Sequence, residues 1–222
     1  MARDKGMLSP KSLPTRGRVL THGAWLYDTL QPLITFGKDD RLNHAVADAL
    51  TPRDEEYILD VGCGTGLLTA EVAGRLTAGR VIGIDASRPM IEIARRKRGT
   101  AICQFELALA EDLPFEESSL DAVVSALFFH HVPLELKRRC AREIFRVLRP
   151  EGRVAIADLD RPWSFFGKLY SYSAWLLLQQ PEIRENIDGL LFRALREAGI
   201  EGLSPGLGVL GCIRIWRGRK PT

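Results

Sequence analysis

The sequence lacks the features that define several classes of protein. Its four cysteines lie at least 37 residues apart, so no C-x-x-C spacing for a metal or redox site exists. Small secreted domains are commonly held together by several disulfide bonds, and the spacing of these cysteines does not indicate such a framework. A reducing cytoplasmic location is therefore expected. The formal net charge of +3 in 222 residues is too small to indicate a nucleic-acid partner.

Long apolar runs are also missing. The uncharged stretch Leu169–Gln180 has twelve residues, fewer than the roughly 20 that a membrane-spanning helix needs. Residues 1–18 are basic, contain Pro10 and Pro14, and lack the apolar centre of a secretion signal. We therefore interpret residues 1–18 as a flexible basic tail and residues 19–222 as a single domain.

Strand and helix patterns alternate along most of this domain. Apolar residues at helical spacing from Trp25 to Leu50 predict two short helices that form a lid over residues 19–55. From Tyr57 to residue 160, short β-favouring runs alternate with helical patterns, which predicts an α/β core with a parallel sheet. An aromatic-rich segment, residues 161–199, and terminal strands, residues 200–222, follow. The last strand is expected around Val209 to Trp216.

A glycine loop follows the first predicted strand. Residues 62–66 read Gly-Cys-Gly-Thr-Gly, and a helical pattern begins directly after them. Missing side chains let a ligand approach the backbone, and the helix N-terminus offers unpaired N–H groups. Asp85 ends the next strand about 20 residues later, where an acid accepts hydrogen bonds from both hydroxyls of a ribose. The loop and Asp85 predict a site for a ribosyl ligand.

Two ligands compete for this site, a dinucleotide and S-adenosylmethionine. The dinucleotide fingerprint G-x-G-x-x-G requires glycine at position 67, where this chain has Leu67. Asp60 precedes the loop, and its carboxylate would repel a pyrophosphate but attract the ammonium group of an amino acid. The cationic ligand is favoured, and a nicotinamide oxidoreductase is the less favoured alternative.

Four segments resemble, in order and spacing, the class I S-adenosylmethionine-dependent methyltransferases. The resemblance extends to the branch of ubiquinone and menaquinone biosynthesis C-methyltransferases, through Tyr27-Asp28, Phe36-Gly37 and the closing stretch Gly208–Lys220. The four segments are Leu59–Gly66, Gly83–Asp85, Glu111–Phe115 and Arg142–Gly152.

This resemblance implies a Rossmann-like, mostly parallel seven-stranded sheet whose last strand is antiparallel. It implies that the glycine loop surrounds the methionine part of the cofactor, that Ala110 and Glu111 contact the adenine, that Met90 packs on the adenine face, and that Tyr27 closes the lid. Ala86 and Ser125 adjoin these positions, and we include them. The predicted cofactor site is Asp60, Gly62, Gly64, Thr65, Gly66, Asp85, Ala86, Met90, Ala110, Glu111 and Ser125.

The sequence departs from the family pattern at two places. Leu109 replaces the Asp or Asn that commonly meets the adenine amino group. His130-His131 replaces the Arg-Asn pair of the quinone branch at the end of the fourth strand, which indicates a different acceptor. A proton must be removed from a hydroxyl or an activated ring carbon, and His130, His131 and Tyr27 are the candidates. Either histidine could equally cap the strand end or pack under the lid.

Aromatic residues cluster just after the fifth strand. Three interpretations stay open: a buried helix, a wall of the acceptor site, or a surface for a membrane or a second subunit. The cluster comprises Trp163, Phe165, Phe166, Tyr170, Tyr172 and Trp175.

The predicted function is methyl transfer from S-adenosylmethionine to a small, hydrophobic or aromatic acceptor, with S-adenosylhomocysteine as the product. Alternatives are a non-catalytic cofactor-binding module that acts through a partner, and a phospholipid headgroup N-methyltransferase. The sequence leaves the acceptor atom open, and it allows a monomer or a homodimer.

Overall fold

The structure is a computed structural model that describes residues 12–18 and 39–222. Tyr27, Phe36-Gly37 and the first expected lid helix lie outside the described residues. The strands are β1 Tyr57–Val61, β2 Arg80–Asp85, β3 Cys103–Leu107, β4 Leu120–Ala126, β5 Leu148–Leu159, β6 Glu201–Val209 and β7 Ile213–Arg219. The helices are α1 Asp39–Leu50, α2 Leu67–Ala73, α3 Arg88–Arg98, α4 Leu134–Val147, α5 Phe165–Leu178, α6 Pro181–Ile187 and α7 Leu190–Glu197, with a short 3₁₀ turn at Phe129–His131.

The seven strands form one sheet in the order β3-β2-β1-β4-β5-β7-β6. The first five strands in this order are parallel, and β7 runs antiparallel to both β5 and β6. This arrangement confirms the expected sheet with its antiparallel last strand. The strand order reverses between β1 and β4, and ligands of open α/β sheets bind outside the carboxyl ends of the strands at such a reversal.

Helices cover both faces of the sheet, because neighbouring residues of its central strands are apolar on both sides. Ile58 of β1 packs with α1, α2 and α3, whereas Leu59, the next residue, packs with α4 and α7 on the opposite face. Side chains of a strand alternate between faces, so an uninterrupted apolar run is what a doubly covered strand requires. The rigid layers place the carboxyl ends of β1, β2 and β4 at one common edge.

The carboxyl-terminal region differs from the expectation. Two terminal strands are present, but the last one has other bounds than the expected Val209 to Trp216: it is β7, Ile213–Arg219, which forms a hairpin with β6 around Leu210 and Gly211. Both turn residues have left-handed backbone angles, with φ of 56° and 71°. Consecutive residues with positive φ reverse the chain in a way that matches strand twist. The apolar residues on both sides of Gly211 conceal this turn in the sequence.

The fifth strand is longer than its pattern indicates. The sequence predicts Arg153 to Ala157, but β5 begins at Leu148 and ends at Leu159. Its pairing with β4 shifts register between the Leu120↔Leu148 and Ala122↔Arg153 pairs. The segment around Pro150 therefore forms an irregularity within the strand rather than a loop before it.

None of the helices in the described ranges has both the length and the apolar character needed to cross a lipid bilayer.

Candidate functional site

The glycine loop between β1 and α2 is held against β2 by its own backbone. The N–H groups of Gly62 and Cys63 both donate to the carbonyl oxygen of Ile84, each at 2.9 Å. Gly62 has φ of +72°, and a Cβ atom there would lie 2.3 Å from the ring of Phe128. Gly62 is therefore required by backbone geometry and by close approach. The loop leaves its main chain open toward the sheet edge.

Asp85, the last residue of β2, holds this loop and the start of α3 together. Its Oδ2 accepts a hydrogen bond from the Gly64 N–H at 3.0 Å, and its Oδ1 accepts one from the Ser87 N–H at 2.7 Å. Burial raises the pKa of Asp85, and the two N–H donors oppose that shift. A carboxylate oxygen accepts more than one hydrogen bond, so Asp85 retains capacity for the hydroxyls of a ribose.

Asp60 has a buried carboxylate with one oxygen that is unpartnered in the described part of the chain, which indicates a binding site for a cationic group. It lies within β1 and is 1% exposed. Its Oδ2 accepts a hydrogen bond from Thr69 Oγ1 at 2.6 Å, whereas its Oδ1 has no partner among the described residues. Burial raises the pKa of Asp60 to about 7, the Thr69 hydrogen bond lowers it, and the charge of Asp85 raises it further. A buried acceptor without a partner costs free energy, and an ammonium group would satisfy it.

A cleft with about 1100 Å³ of empty space, including its open mouth, lies beside this loop. Most predicted site residues line it. They are Asp60, Gly62, Gly64, Thr65, Asp85, Ala86, Met90, Ala110, Glu111 and His131.

Three predicted site residues do not line the cleft. Gly66 begins α2, and a Cβ atom there would lie 2.5 Å from the Phe105 ring, so its role is packing. Ser125 is buried, and its hydroxyl donates to the carbonyl oxygen of Val61 at 2.7 Å. His130 points away from the cleft toward Asp158. The sequence places these residues in the right loops, but the direction of a side chain depends on tertiary contacts.

Residues 12–18, which are part of the predicted tail, contact residues that line the cleft. The Leu13 N–H donates to the Ala86 carbonyl at 3.0 Å, and the Arg18 N–H donates to the His131 carbonyl at 3.0 Å. Thr15 Oγ1 donates to Glu111 Oε1 at 2.5 Å. We call residues 12–18 the strap. Its one proline, Pro14, and its two arginines are typical of a tail, and hydrogen bonds to distant loops leave no signal in the sequence.

A buried carboxylate organises the two histidines after β4. Asp158 Oδ1 lies 2.8 Å from His130 Nδ1, and Asp158 Oδ2 accepts the Phe129 N–H at 2.6 Å. Burial alone would raise the pKa of Asp158, but the neighbouring His130 and the backbone N–H of Leu159 lower it overall. Asp158 is therefore ionised and fixes the His130 ring.

His131 has the opposite environment. Burial, followed by the charge of His130, lowers the pKa of His131 to about 3. The two rings are 4.0 Å apart, and His131 lines the cleft. A neutral imidazole thus faces the ligand space, and a fixed His130–Asp158 pair lies behind it. Such an arrangement can accept a hydrogen bond from the hydroxyl of a methyl acceptor, but a pKa of about 3 makes His131 a weak base.

Sequence reasoning missed Asp158. The available signal was its position: it is an acid near the carboxyl end of an apolar strand, as Asp85 is in β2. Charged residues at that edge face the ligand crevice of an α/β sheet.

The aromatic segment does not form part of the cleft. None of its six aromatic side chains lines the cleft in the part of the chain that the structure describes. Phe165 and Phe166 are each 77% exposed, so the interpretation as a buried helix is wrong. The two other interpretations, a wall of the acceptor site and a contact with a membrane or a second subunit, stay predictions.

Comparison with known proteins gives the family. Residues 59–156 match a family model described as a methyltransferase domain. A demethylmenaquinone methyltransferase of Thermotoga maritima is 32% identical over 148 residues, which are 66% of this chain and 63% of that protein. The O-methyltransferase cnsE of Penicillium expansum is 43% identical over 129 residues, 55% of this chain and 46% of that protein. The chain thus spans about half to two thirds of the length of these relatives.

A solved structure shows the same fold. Phosphoethanolamine N-methyltransferase 2 of Haemonchus contortus, in complex with phosphomonomethylethanolamine and S-adenosylhomocysteine, superposes with a TM-score of 0.66 at 16% identity, covering 90% of this chain and 57% of that one. The motif order, the sheet topology and the matched family model agree. Residues 59–156 therefore form a methyltransferase domain, and the chain is similar to S-adenosylmethionine-dependent methyltransferases that include the quinone-biosynthesis C-methyltransferases.

Proposed function

We propose that this protein transfers a methyl group from S-adenosylmethionine to a small, hydrophobic or aromatic acceptor. One observation carries the proposal: Asp60 lines the cleft beside the glycine loop, and its buried Oδ1 has no hydrogen-bond partner among the described residues. The group that fits there is the ammonium of an amino acid. The named methyltransferases among the relatives, which include a quinone and an O-methyltransferase, support the same reaction class.

In this proposal the cofactor-binding roles are those that the family resemblance implies, and the residues concerned line the cleft. Asp60 would hold the ammonium group, the Gly62–Thr65 backbone would surround the methionine part, and Asp85 would hold the ribose. Ala110 and Glu111 would lie at the adenine with Met90 on its face. When bound, S-adenosylmethionine supplies an electrophilic methyl group on a positively charged sulfur. The protein then gains most by aligning donor and acceptor in a site that excludes water.

His131 is our candidate for the residue that contacts the acceptor. Its low pKa keeps the ring neutral at working pH, so it is available to accept a hydrogen bond from the methyl acceptor. His130 positions that ring from behind, and Asp158 fixes His130. Tyr27 stays a candidate from the sequence, since it lies outside the described residues.

Calorimetric titration is the direct test of the cofactor. We expect S-adenosylmethionine and S-adenosylhomocysteine to release binding heat and NADH to release none. No heat with S-adenosylmethionine at millimolar concentration would contradict the proposal, and binding of NADH would support the oxidoreductase alternative. Transfer of a radiolabelled methyl group across phenols, quinols, amines and lipid headgroups then identifies the acceptor class.

One observation favours a second candidate, a cofactor-binding module without turnover. Leu109 stands where the family commonly has a polar contact to adenine, and Leu109 is only half-buried. Cofactor binding without methyl transfer to any member of the acceptor panel would favour this second function over the first.

A further inference from the structure

Helix α5 is packed with its small side chains inward and its large apolar side chains outward. Gly167 and Ser171 are buried, and a Cβ atom at Gly167 would lie 2.1 Å from the Gly211 carbonyl oxygen. The helix backbone therefore rests directly on the β6–β7 turn. Close packing through small residues leaves no space for the bulky side chains on the inner side.

The outer side carries a stripe of large apolar residues at helical spacing. Phe165, Leu169, Tyr172 and Leu176 are separated by four, three and four positions, which places them on one face. Their exposed fractions are 77%, 60%, 39% and 68%. In the described ranges, every exposed large apolar side chain lies between Trp163 and Leu178. Soluble proteins rarely expose a contiguous apolar patch of this kind unless it meets a partner. We call the exposed side chains of residues 163–178 the α5 face.

The charged groups in direct contact with the α5 face are cations: Arg184 lies over the Tyr172 ring and Arg214 over the Trp163 ring. These two arginines also pair with Asp188 and Asp160. Between Asp160 and Glu182 the sequence has no acidic residue, whereas Arg161 and Lys168 are both exposed. A symmetric dimer through the α5 face would bring the same surface of each copy together, so cations would meet cations. A surface of anionic lipid headgroups complements both the charge and the apolar stripe.

The aromatic residues at the edges of the α5 face fit the same partner. Trp163 and Tyr172 are partly exposed at its margin, and amphipathic rings of these types prefer the membrane–water interface. The guanidinium of Arg214 lies 4.6 Å from the centre of the Trp163 ring. The long side chain of Lys168 can extend its ammonium group to the headgroups while its methylene groups remain in the apolar layer.

We propose that the α5 face binds the surface of an anionic lipid bilayer, with the helix lying in the interface rather than crossing it. The helix ends next to the cleft, because Gln180 contacts His131. Bound this way, the mouth of the cleft lies near the bilayer, which would supply a hydrophobic acceptor. That last consequence rests on the proposed function, whereas lipid binding does not.

The test is co-sedimentation of the full chain with vesicles, without cofactor or acceptor. We expect binding to phosphatidylcholine vesicles that contain phosphatidylglycerol and weaker binding to phosphatidylcholine alone. The double variant Phe165→Ser/Phe166→Ser should lower the partition coefficient at least about tenfold, since two exposed rings leave the apolar layer. Lys168→Gln should lower binding to the anionic vesicles roughly fivefold. The matched control, Arg96→Gln on α3, should bind as the wild type does.

A fluorescence measurement tests lipid binding without relying on the double variant, which could fold poorly. Brominated lipids should quench Trp163 fluorescence in a variant that retains only this tryptophan. A wild-type chain that does not sediment with anionic vesicles would overturn the proposal. This holds if analytical ultracentrifugation finds a monomer. It also holds if it finds a dimer that the double variant Phe165→Ser/Phe166→Ser dissociates, since the α5 face would then bind a second copy of the chain. Equal sedimentation of the double variant and the wild type would also overturn it. Failure of methyl transfer alone would leave lipid binding unaffected.

Discussion

Asp85 and Gly64 are joined by a 3.0 Å hydrogen bond from the glycine N–H to the carboxylate. This contact links the end of β2 to the centre of the glycine loop, so the residue proposed to hold the ribose also fixes the backbone proposed to surround the methionine part. A substitution of Asp85 is therefore expected to change both cofactor binding and the conformation of the glycine loop.

Replacing Asp85 tests this double role. Asp85→Ala should weaken S-adenosylmethionine binding by about 1.5 to 3 kcal/mol, the scale of charge-assisted hydrogen bonds, and should also lower the thermal midpoint of the apo protein. Asp85→Asn retains one acceptor oxygen and should lose less of both. Calorimetry and thermal unfolding measure the two effects. An unchanged dissociation constant for Asp85→Ala would show that the ribose lies elsewhere.

Asp60 makes cofactor affinity dependent on pH. Because burial raises the pKa of Asp60 to about 7, the carboxyl is mostly protonated at pH 5.5 and mostly ionised at pH 7.5. We expect the affinity for S-adenosylmethionine to rise roughly tenfold over this interval, and Asp60→Asn to flatten the profile. Titrations at several pH values would decide this, and a parallel slope in the variant would count against an Asp60–ammonium pair.

Asp60 also predicts an effect on stability. A carboxyl whose folded pKa exceeds its unfolded value favours the folded state at low pH and loses that advantage as pH rises from 3.8 through about 7. The thermal midpoint of Asp60→Asn, relative to that of the wild type, should therefore increase between pH 4.5 and pH 8. A constant difference would indicate that Asp60 does not titrate in this range.

His131 should destabilise the protein in acid. Its folded pKa of about 3 lies below the unfolded value of 6.5, so between these values the unfolded chain binds a proton that the native state does not. Stability attributed to His131 is present above pH 6.5 and is lost as pH falls toward 3. Urea unfolding of His131→Phe should depend less on pH between 7.5 and 5 than unfolding of the wild type.

Replacing Asp158 should change the rate of methyl transfer but not the affinity for the cofactor. Asp158→Asn weakens the support of His130 and should cost about 1 to 3 kcal/mol of unfolding free energy. It should also reduce kcat and shift the pH profile of methyl transfer, while the affinity for S-adenosylmethionine stays within about twofold. Asp160→Asn, which disrupts an ion pair with Arg214, is the matched control and should leave the pH profile unchanged. A shift of equal size in both variants would mean that Asp158 has only a structural role.

The sequence predicted the parts of the molecule that depend on local pattern. Strand β1, the glycine loop and α2 follow from an apolar run, three glycines and leucines at helical spacing. The position of Asp85 at the end of β2 follows in the same way. Helix α1 was predicted from Leu42, Val46 and Leu50, all of which are buried.

The remaining features depend on contacts between distant segments. Asp158 meets His130 only because β4 and β5 are neighbours in the sheet. The outward direction of the large side chains of α5 follows from the contact between Gly167 and the β6–β7 turn, which no periodicity reveals. The strap over the cleft depends on four hydrogen bonds to residues more than 70 positions away in sequence, one of them from the Arg88 N–H to Ser12 Oγ at 3.2 Å.

Those four bonds would limit how quickly small molecules exchange. At about 1 kcal/mol each, they would leave on the order of one molecule in a thousand with residues 12–18 detached. S-adenosylhomocysteine would leave the cleft, and S-adenosylmethionine would enter it, only while residues 12–18 are detached. Detachment of the strap would then limit the turnover rate. Weakening the hydrogen bond between Thr15 and Glu111 would increase that rate, although neither side chain takes part in methyl transfer.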